Sequence, residues 1–294
     1  MDPWFVTGFA DAESCFSLNV GLCPRNKKFK IGWEVKPSFQ IGLHQKDKAL
    51  LEQILSYFSA GNISQQGSQS LQFRVQSVKD LKLVINHFDK YPLISQKWAD
   101  YQLFKQAIRL MEQKEHLTEA GLAKIVAIKA SMNWGLPEKL KAAFPDILPV
   151  TRPVVVDPEI QDPNWLSGFA SGECCIQIRI FKSITTVGEA VRLEFRIVQH
   201  SKDEQLMRSL IQYWDCGNVY KFREAIEFRI HKFSDITYKI IPFFNKYPIH
   251  GIKALDYADF VKAADIMKEK GHLTAEGLDQ IRQIKAGMNK GRPD

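Results

Sequence analysis

The chain has 294 residues, 45% of them hydrophobic and 19 of them Phe, and 40 Lys+Arg against 33 Asp+Glu leave a net charge of +7. That apolar content excludes global disorder, the length suits two domains of ordinary size, and the moderate basic excess is compatible with a polyanionic partner. The five cysteines include no C-x-x-C pair, no apolar run reaches the ~18 residues of a membrane span, and the N-terminus lacks a signal-peptide pattern. The expectation is a soluble intracellular protein with reduced thiols and no membrane partner.

The chain opens on D-P-W-F-V-T-G-F-A-D-A-E, ending at Glu13, and a second copy, D-P-N-W-L-S-G-F-A-S-G-E, ends at Glu173. Asp2-Pro3 and Asp162-Pro163 are good helix starts, because Asp caps free N–H groups and Pro is tolerated at the first helical position. The duplication continues at a shift of 156: K-Y-P-L from Lys90 matches K-Y-P-I from Lys246, H-L-T-E-A-G-L from His116 matches H-L-T-A-E-G-L from His272, and I-K-A-S-M-N from Ile128 matches I-K-A-G-M-N from Ile284. One long period means a duplicated domain and not a solenoid. The opening helices match at a shift of 160, so the first half holds four extra residues ahead of Phe39, as a hairpin loop would absorb. The expected domains are 1–136 and 162–294, joined over 137–161 by a linker with prolines at 137, 145, 149, 153 and 158.

After each acid the pattern switches to period two. Phe16, Leu18 and Val20 alternate with Ser17, Asn19 and Gly21, and Ile176, Ile178 and Ile180 alternate with Gln177, Arg179 and Phe181. A second strand follows, then a helix at about 46–58 and 202–214, two strands near 61–77 and 217–231, and closing helices. Each half therefore reads as α-β-β-α-β-β-α(α), an α+β domain with a four-stranded antiparallel sheet. One sheet face is apolar. The other is polar: Ser17, Asn19, Lys30, Glu34, Lys36, Ser38, Gln40, Gln72, Arg74 and Gln76 in the first half, and Gln177, Arg179, Arg192, Glu194, Arg196, Lys221, Arg223 and Arg229 in the second. A solvated sheet face explains such a pattern equally well on alternation alone. The abundance of Arg, Lys and Gln, which suit base edges and phosphates, favours nucleic acid.

In each opening helix small residues stand four apart, Gly8 with Ala12 and Gly168 with Gly172, on one helical face. Glycine inside a helix costs up to ~1 kcal/mol relative to alanine, so a close helix–helix seam is its expected purpose. Two such helices in contact would gather Glu13 and Glu173, whose repulsion a divalent cation with hard oxygen ligands relieves. Metal-linked carboxylates at a nucleic-acid surface point to phosphodiester hydrolysis. Asp11, whose repeat partner is Ser171, turns away from the small-residue face and reads as structural or capping. His116 and His272 read as part of a structural connection. Cys174 and Cys175 lack a base partner by spacing, so nucleophilic catalysis by them is not expected.

V-T-G-F-A-D-A-E and L-S-G-F-A-S-G-E, with the K-Y-P, H-L-T-x-x-G-L and M-N-K-G-R segments, resemble the monomeric LAGLIDADG homing endonucleases of the fungal mitochondrial, intron-encoded type. The resemblance spans nearly the whole chain. It implies that Glu13 and Glu173 bind divalent metal together with the backbone carbonyls of Ala12 and Gly172. The metal would be Mg²⁺, with Mn²⁺ a substitute and Ca²⁺ supporting binding without cleavage. It also implies a saddle of two sheets in the major groove of a long asymmetric DNA target. Both strands would be cut across the minor groove by a monomer, leaving four-base 3′ overhangs. Gln199 and Lys232 match the Gln and Lys that family members keep near the metals, while the first half has Leu43 and Ser77 there. The residue after each acid, usually Gly in the family, is Ser14 or Cys174. An RNA-splicing maturase acting on its intron RNA, or a DNA-binding protein that does not cleave, would share the fold. The presence of both acids favours the nuclease.

Overall fold

The computed structural model describes residues 1–23, 31–155 and 158–292. The chain forms two compact units, one of Met1 with Glu13–Val156 and one of Asp2–Ala12 with Asp157–Asp294. The opening helix, which sequence order groups with the first half, is thus counted by its contacts with the second unit. Most of the Pro-rich segment goes with the first unit, where Val150 N–H donates to the Ala127 carbonyl at 3.2 Å.

The first half contributes α1 (Pro3–Glu13), β1 (Ser14–Leu22), β2 (Trp33–His44), α2 (Lys48–Phe58), β3 (Asn62–Gln65), β4 (Ser70–Val75), α3 (Val78–Lys90), α4 (Lys97–Glu112), α5 (Glu119–Ala130) and the short α6 (Glu138–Ala143). The second repeats the order with α7 (Pro163–Glu173), β5 (Cys174–Lys182), β6 (Glu189–His200), α8 (Glu204–Trp214), β7 (Asn218–Phe222) and β8 (Ala225–Ile230). It closes with α9 (Phe233–Asp235), a π-helical turn (Ile236–Ile240), α10 (Ile241–Lys246), α11 (Lys253–Lys268) and α12 (Ala275–Ala286). Both sheets are antiparallel, in the orders β1-β2-β4-β3 and β5-β6-β8-β7, so the fold is α+β as the periodicities require. The four extra residues of the first half fall between β1 and β2, in a connection of which 24–30 lie outside the described residues.

Alternation fixes which sheet face is buried. Phe16, Leu18, Phe39, Ile41 and Phe73 are at most 1% exposed, and so are Leu193, Phe195, Ile197 and Phe228 in the second sheet. Phe16 gathers Phe39, Phe88, Tyr101 and Phe104 at ring-centroid distances of 5.2 to 5.6 Å. In the second unit Trp214 meets Phe195 at 5.7 Å and Phe228 at 5.5 Å. Burying rings of this size stabilises each unit by roughly 1.5–3 kcal/mol per side chain.

Recurrent polar contacts explain the repeated motifs. In each L-T-x-x-G segment the Thr hydroxyl caps a helix: Thr118 accepts from Gly121 N–H and Thr274 from Gly277 N–H, both at 3.1 Å. A Cβ on Gly121 would lie 2.0 Å from the Glu115 carbonyl oxygen, so the recurring spacing is steric as well as polar. In each M-N segment the Asn side chain donates to the first strand, Asn133 to the Phe16 carbonyl at 2.8 Å and Asn289 to the Ile176 carbonyl at 3.2 Å. The same residues' N–H groups donate to Asp100 and Asp256 at 3.0 Å, and Arg152 and Arg292 pair with those two carboxylates.

The halves differ where the π-helical turn interrupts the second. Ser77 caps α3 and Lys232 occupies the matching position before α9, while Tyr101 and Tyr257 donate to the matching carbonyls of Ile85 and Ile241. From Ser77 to Ile85 is eight steps and from Lys232 to Ile241 nine, so the second half holds one extra residue. A π turn absorbs one residue and leaves the downstream helix in register. Pro242, which stands where α3 has Asn86, cannot donate a helical hydrogen bond and so favours a break just upstream.

Asp2 and Asp162 start the paired helices as expected, accepting from Trp4 N–H at 2.8 Å and Asn164 N–H at 2.7 Å. Within the second unit α1 and α7 meet backbone to backbone. A Cβ on Gly8 would lie 1.8 Å from the Trp165 carbonyl oxygen, and one on Gly168 2.1 Å from that of Phe5. Gly8→Ala and Gly168→Ala should each lower the unfolding free energy by about 1–3 kcal/mol or more, as overpacking does. Chemical denaturation of each variant measures this, and unchanged midpoints would refute the close approach.

His87 supplies a pH prediction. It is buried, 2.9 Å from the Tyr57 hydroxyl, and burial pushes its imidazole down to about 4. The unfolded chain binds that proton near pH 6.5, so between 6.5 and 4 the unfolded state binds more protons and stability falls as pH falls. The loss attributable to this group is on the order of 3 kcal/mol across that window. Urea unfolding at pH 7 and 4.5 should show it, and His87→Gln should flatten the difference.

Candidate functional site

Each motif helix ends on its acid, and the next residue begins a strand: α1 ends at Glu13 and β1 begins at Ser14, while α7 ends at Glu173 and β5 begins at Cys174. The helix-to-strand switch therefore puts one half-buried carboxylate at the root of each sheet. Cys174 takes φ −71° and ψ 148°, ordinary extended backbone, so no glycine is needed after Glu173. Its thiol is buried and pushed up to about 12 by burial, which leaves it protonated and unreactive at neutral pH. Burial also raises the Cys15 thiol.

In the second half Gln199 Nε2 donates to Glu173 Oε1 at 2.7 Å, so these two expected site residues meet. Lys232 does not join them in the described contacts. Its side chain is 74% exposed and lies 3.8 Å from Asp235, at the helix-start position where Ser77 sits in the first half. A different lysine stands closer to the acid: Lys253, the first residue of α11, donates from Nζ to the Gly172 carbonyl. Its repeat partner Lys97 opens α4 and exerts an electrostatic pull on Cys15, two residues beyond Glu13. Sequence pattern alone did not single out this pair, although both lysines follow K-Y-P by the same interval. That recurrence was the available signal.

Among the described residues no group of three or more His, Cys, Asp or Glu side chains comes together as a metal cluster. A divalent ion would instead find a single carboxylate with an adjacent backbone carbonyl at a helix end. That is an all-oxygen set of the kind Mg²⁺ and Ca²⁺ accept. The ammonium of Lys253 on the Gly172 carbonyl marks that oxygen as one that attracts a cation. The residues fit the metal.

Asp11 is 1% exposed and accepts from the Trp165 indole N–H at 2.8 Å, so it ties α1 to α7 within the second unit. Its repeat partner Ser171 accepts from His250 N–H at 2.9 Å.

Strand register shows which polar residues share the outward face. Ser17 lies opposite Ser38, Asn19 opposite Lys36, Gly21 opposite Glu34, Gln40 opposite Arg74 and Gly42 opposite Gln72. Ser17, Asn19, Lys36, Ser38, Gln40, Arg74 and Gln76 line a depression of about 260 Å³, which Lys129 of α5 also reaches. Lys30 lies outside the described residues. In the second sheet Gln177 lies opposite Glu194, Arg179 opposite Arg192, and Arg196 opposite both Cys175 and Arg229. Lys221 departs from this face. It lies opposite buried Ile226 and pairs with Glu204 of α8 at 2.5 Å, so the outward place on that strand belongs to Tyr220. The sequence pattern misjudged β7 by one residue because only Val219 marks its inner face. Arg223, at positive φ in the turn between β7 and β8, stacks on Phe222 with its guanidinium 5.4 Å from the ring.

Replacing Asp11 by Leu, which strands the Trp165 indole, should cost about 1–3 kcal/mol of stability, and Asp11→Asn, which can still accept, much less. Thermal unfolding of both variants compares them. Equal losses would mean that the hydrogen bond is not what Asp11 supplies.

The sequence model of the family described as "LAGLIDADG endonuclease" matches residues 6–108 and 166–264, a pair of segments that takes in most of each motif helix and the whole of each sheet in turn. "Probable intron-encoded endonuclease 3" of Neurospora crassa is 41% identical over 286 residues, 96% of this chain and 53% of that protein. "Probable intron-encoded endonuclease 2" of the same organism is 40% identical over 315 residues, 99% of this chain and 68% of that protein. The chain thus spans about half the length of the first of these relatives and two thirds of the second. Among solved structures, the I-SmaMI LAGLIDADG homing endonuclease bound to cleaved DNA is 45% identical with a TM-score of 0.96, over 100% of this chain and 98% of that one. The same protein bound to uncleaved DNA target in the presence of calcium ions matches at 45% identity and TM-score 0.96, over 99% and 100% of the two chains. Duplicated motif helices, matching sheets and these likenesses agree: the chain belongs to the LAGLIDADG endonuclease family.

Proposed function

We propose that the protein is a site-specific, metal-dependent DNA endonuclease that acts as a monomer and cuts both strands of a long asymmetric target. The observation that carries this reading is the junction of acid and sheet. Glu13 and Glu173 each end a helix where a strand begins, and the outward face of the sheet that this strand opens carries Arg, Lys, Gln and Asn side chains. A surface that grips DNA through base edges and phosphates thereby carries one hydrolytic carboxylate per half. The likeness to an endonuclease solved with cleaved DNA, and with calcium and uncleaved DNA, supports it.

Glu13 and Glu173, with the carbonyls of Ala12 and Gly172, are the residues that would hold the divalent ion, taken to be Mg²⁺ with Mn²⁺ able to substitute. Bound there, the metal supplies charge neutralisation for the phosphodiester and a water of lowered pKa. The chain's own residues do the rest. Gln199 holds the Glu173 carboxylate in one orientation through the 2.7 Å hydrogen bond. Lys253 carries positive charge beside the Gly172 carbonyl, where it can steady a developing phosphate charge. On geometry it takes the role expected of Lys232, which stays on the exposed margin. Cleavage across the minor groove with four-base 3′ overhangs, and an origin in a mitochondrial intron, belong to the same reading through the family resemblance.

Incubation with candidate intron-insertion DNA and Mg²⁺ tests the activity. Glu13→Gln and Glu173→Gln should each abolish double-strand cleavage, by at least about 100-fold, while binding in Ca²⁺ stays within a few-fold of the parent. Lys253→Ala should slow cleavage more than Lys232→Ala. Lost binding in the acid variants would make the acids structural. Tight binding of intron RNA without DNA cleavage would replace the nuclease reading by a maturase.

A further inference from the structure

The outward faces of the two sheets are built from different chemistry. Among the described residues the first offers the amides Asn19, Gln40 and Gln76 with Lys36 and Arg74, and buries Gln72. Lys36 is tied to Glu34 at 2.9 Å, and Arg74 donates to Gln72. The second is dominated by arginine and carboxylate. Glu194, only 1% exposed, lies in the outward row with Arg179 Nε at 3.0 Å from one oxygen and Arg192 Nε at 3.1 Å from the other. Glu227 likewise takes Nε of Arg229.

In all three pairs Nε is the guanidinium atom nearest the carboxylate: Arg229 Nε donates a hydrogen bond to Glu227, while Arg179 and Arg192 meet Glu194 as ion pairs in which Arg192 Nε and Glu194 Oε2 make no hydrogen bond. The two Nη groups form the opposite edge of the fork, the edge that can donate bidentately to a planar acceptor pair. Aromatic rings steady two of these forks further, with the Arg192 guanidinium 5.2 Å from the Phe181 ring and that of Arg229 5.1 Å from Tyr220. Arg196 differs. Its side chain is 17% exposed, its Nη1 faces Glu227 at 3.4 Å and its Nη2 faces Cys175 Sγ at 3.4 Å, so its fork is turned to the protein.

We infer that the second sheet reads guanine bases through Arg179, Arg192 and Arg229, with Glu194 and Glu227 as positioning residues, and that the half-site it binds is richer in G·C pairs than the half-site bound by the first. The inference rests on the DNA-binding reading above. Guanine O6 and N7 present two acceptors at the spacing of an arginine fork, whereas adenine N7 and N6 match the Asn and Gln side chains that prevail on the first sheet. A guanidinium already paired with a neighbouring carboxylate loses less freedom on binding, which sharpens the choice of base.

Selection of duplexes from a randomised library by the full chain in Ca²⁺, with sequencing of the retained pool, tests this. A cleavage reagent attached to the second unit orients the two half-sites. The half-site next to that unit should hold the larger share of G·C positions. Arg179→Ala and Arg192→Ala, both at exposed side chains, should each relax preference at one G·C position by roughly 5- to 150-fold, the range of one bidentate contact. Glu194→Gln, nearly isosteric, should relax the positions read by both arginines while the thermal midpoint stays close to the parent's. Equal G·C content in the two halves, or arginine variants that weaken all sequences uniformly, would overturn the inference and leave the endonuclease reading standing. A parent protein that enriches no duplex overturns both.

Discussion

The rest of the structure depends on the backbone contact between the motif helices at Gly8 and Gly168. No side chain larger than hydrogen fits at either position, since the facing carbonyl oxygens of Trp165 and Phe5 stand where a Cβ would be. Glycine in a helix interior costs helical stability, and the chain accepts that cost twice. What it gains is a fixed axial position for each helix, held also by the buried Asp11–Trp165 hydrogen bond. Each helix ends five residues beyond its glycine, on Glu13 or Glu173, and the first strand of its own half begins at the next residue.

From those two junctions the sheets extend almost without choice. Phe16 and Ile176 stand at matching places in β1 and β5, each receiving an Asn side chain on its carbonyl from the far end of its half. Buried aspartates at the start of α4 and α11 close the loop by pairing with arginines. The polar groups so buried are paired, which is what allows a late M-N segment to be anchored to an early strand. Symmetry is nonetheless incomplete. The π turn absorbs one inserted residue in the second half, and Gln199 meets Glu173 where the first half has Leu43. The two sheets also differ in charge chemistry, arginine and carboxylate in one and amide in the other.

Much of this was legible in the residues. Strict alternation along β1, β5 and β6 fixed the buried face, the Asp-Pro starts marked both motif helices, and the recurring segments revealed the duplication. The family resemblance named the acids, and Gln199 was found at Glu173 by the same route. The failures have physical causes. At β7 a single inner apolar residue, Val219, gave too weak a period to face Lys221 correctly, and its pairing with Glu204 depends on a helix distant in sequence. Lys253 leaves no signal in the side-chain pattern because its contact is with a backbone carbonyl, Gly172 O. The extra residue in the helix after β8 is invisible until the helix is seen to widen around it. The grouping of α1 with the second unit is likewise a matter of packing, since order along the chain points the other way.

The proposed function makes the oxygen atoms at the two helix ends cation sites and the lysine beside Gly172 a movable counter-charge. A crystal structure of the chain with an enriched target duplex and Ca²⁺, with anomalous scattering to locate the ion, tests it most directly. Calcium should lie on the carboxylates of Glu13 and Glu173 and on the carbonyls of Ala12 and Gly172, with Lys253 Nζ moved from the Gly172 oxygen toward phosphate. Calcium bound elsewhere, with Lys253 still on that carbonyl, would contradict it.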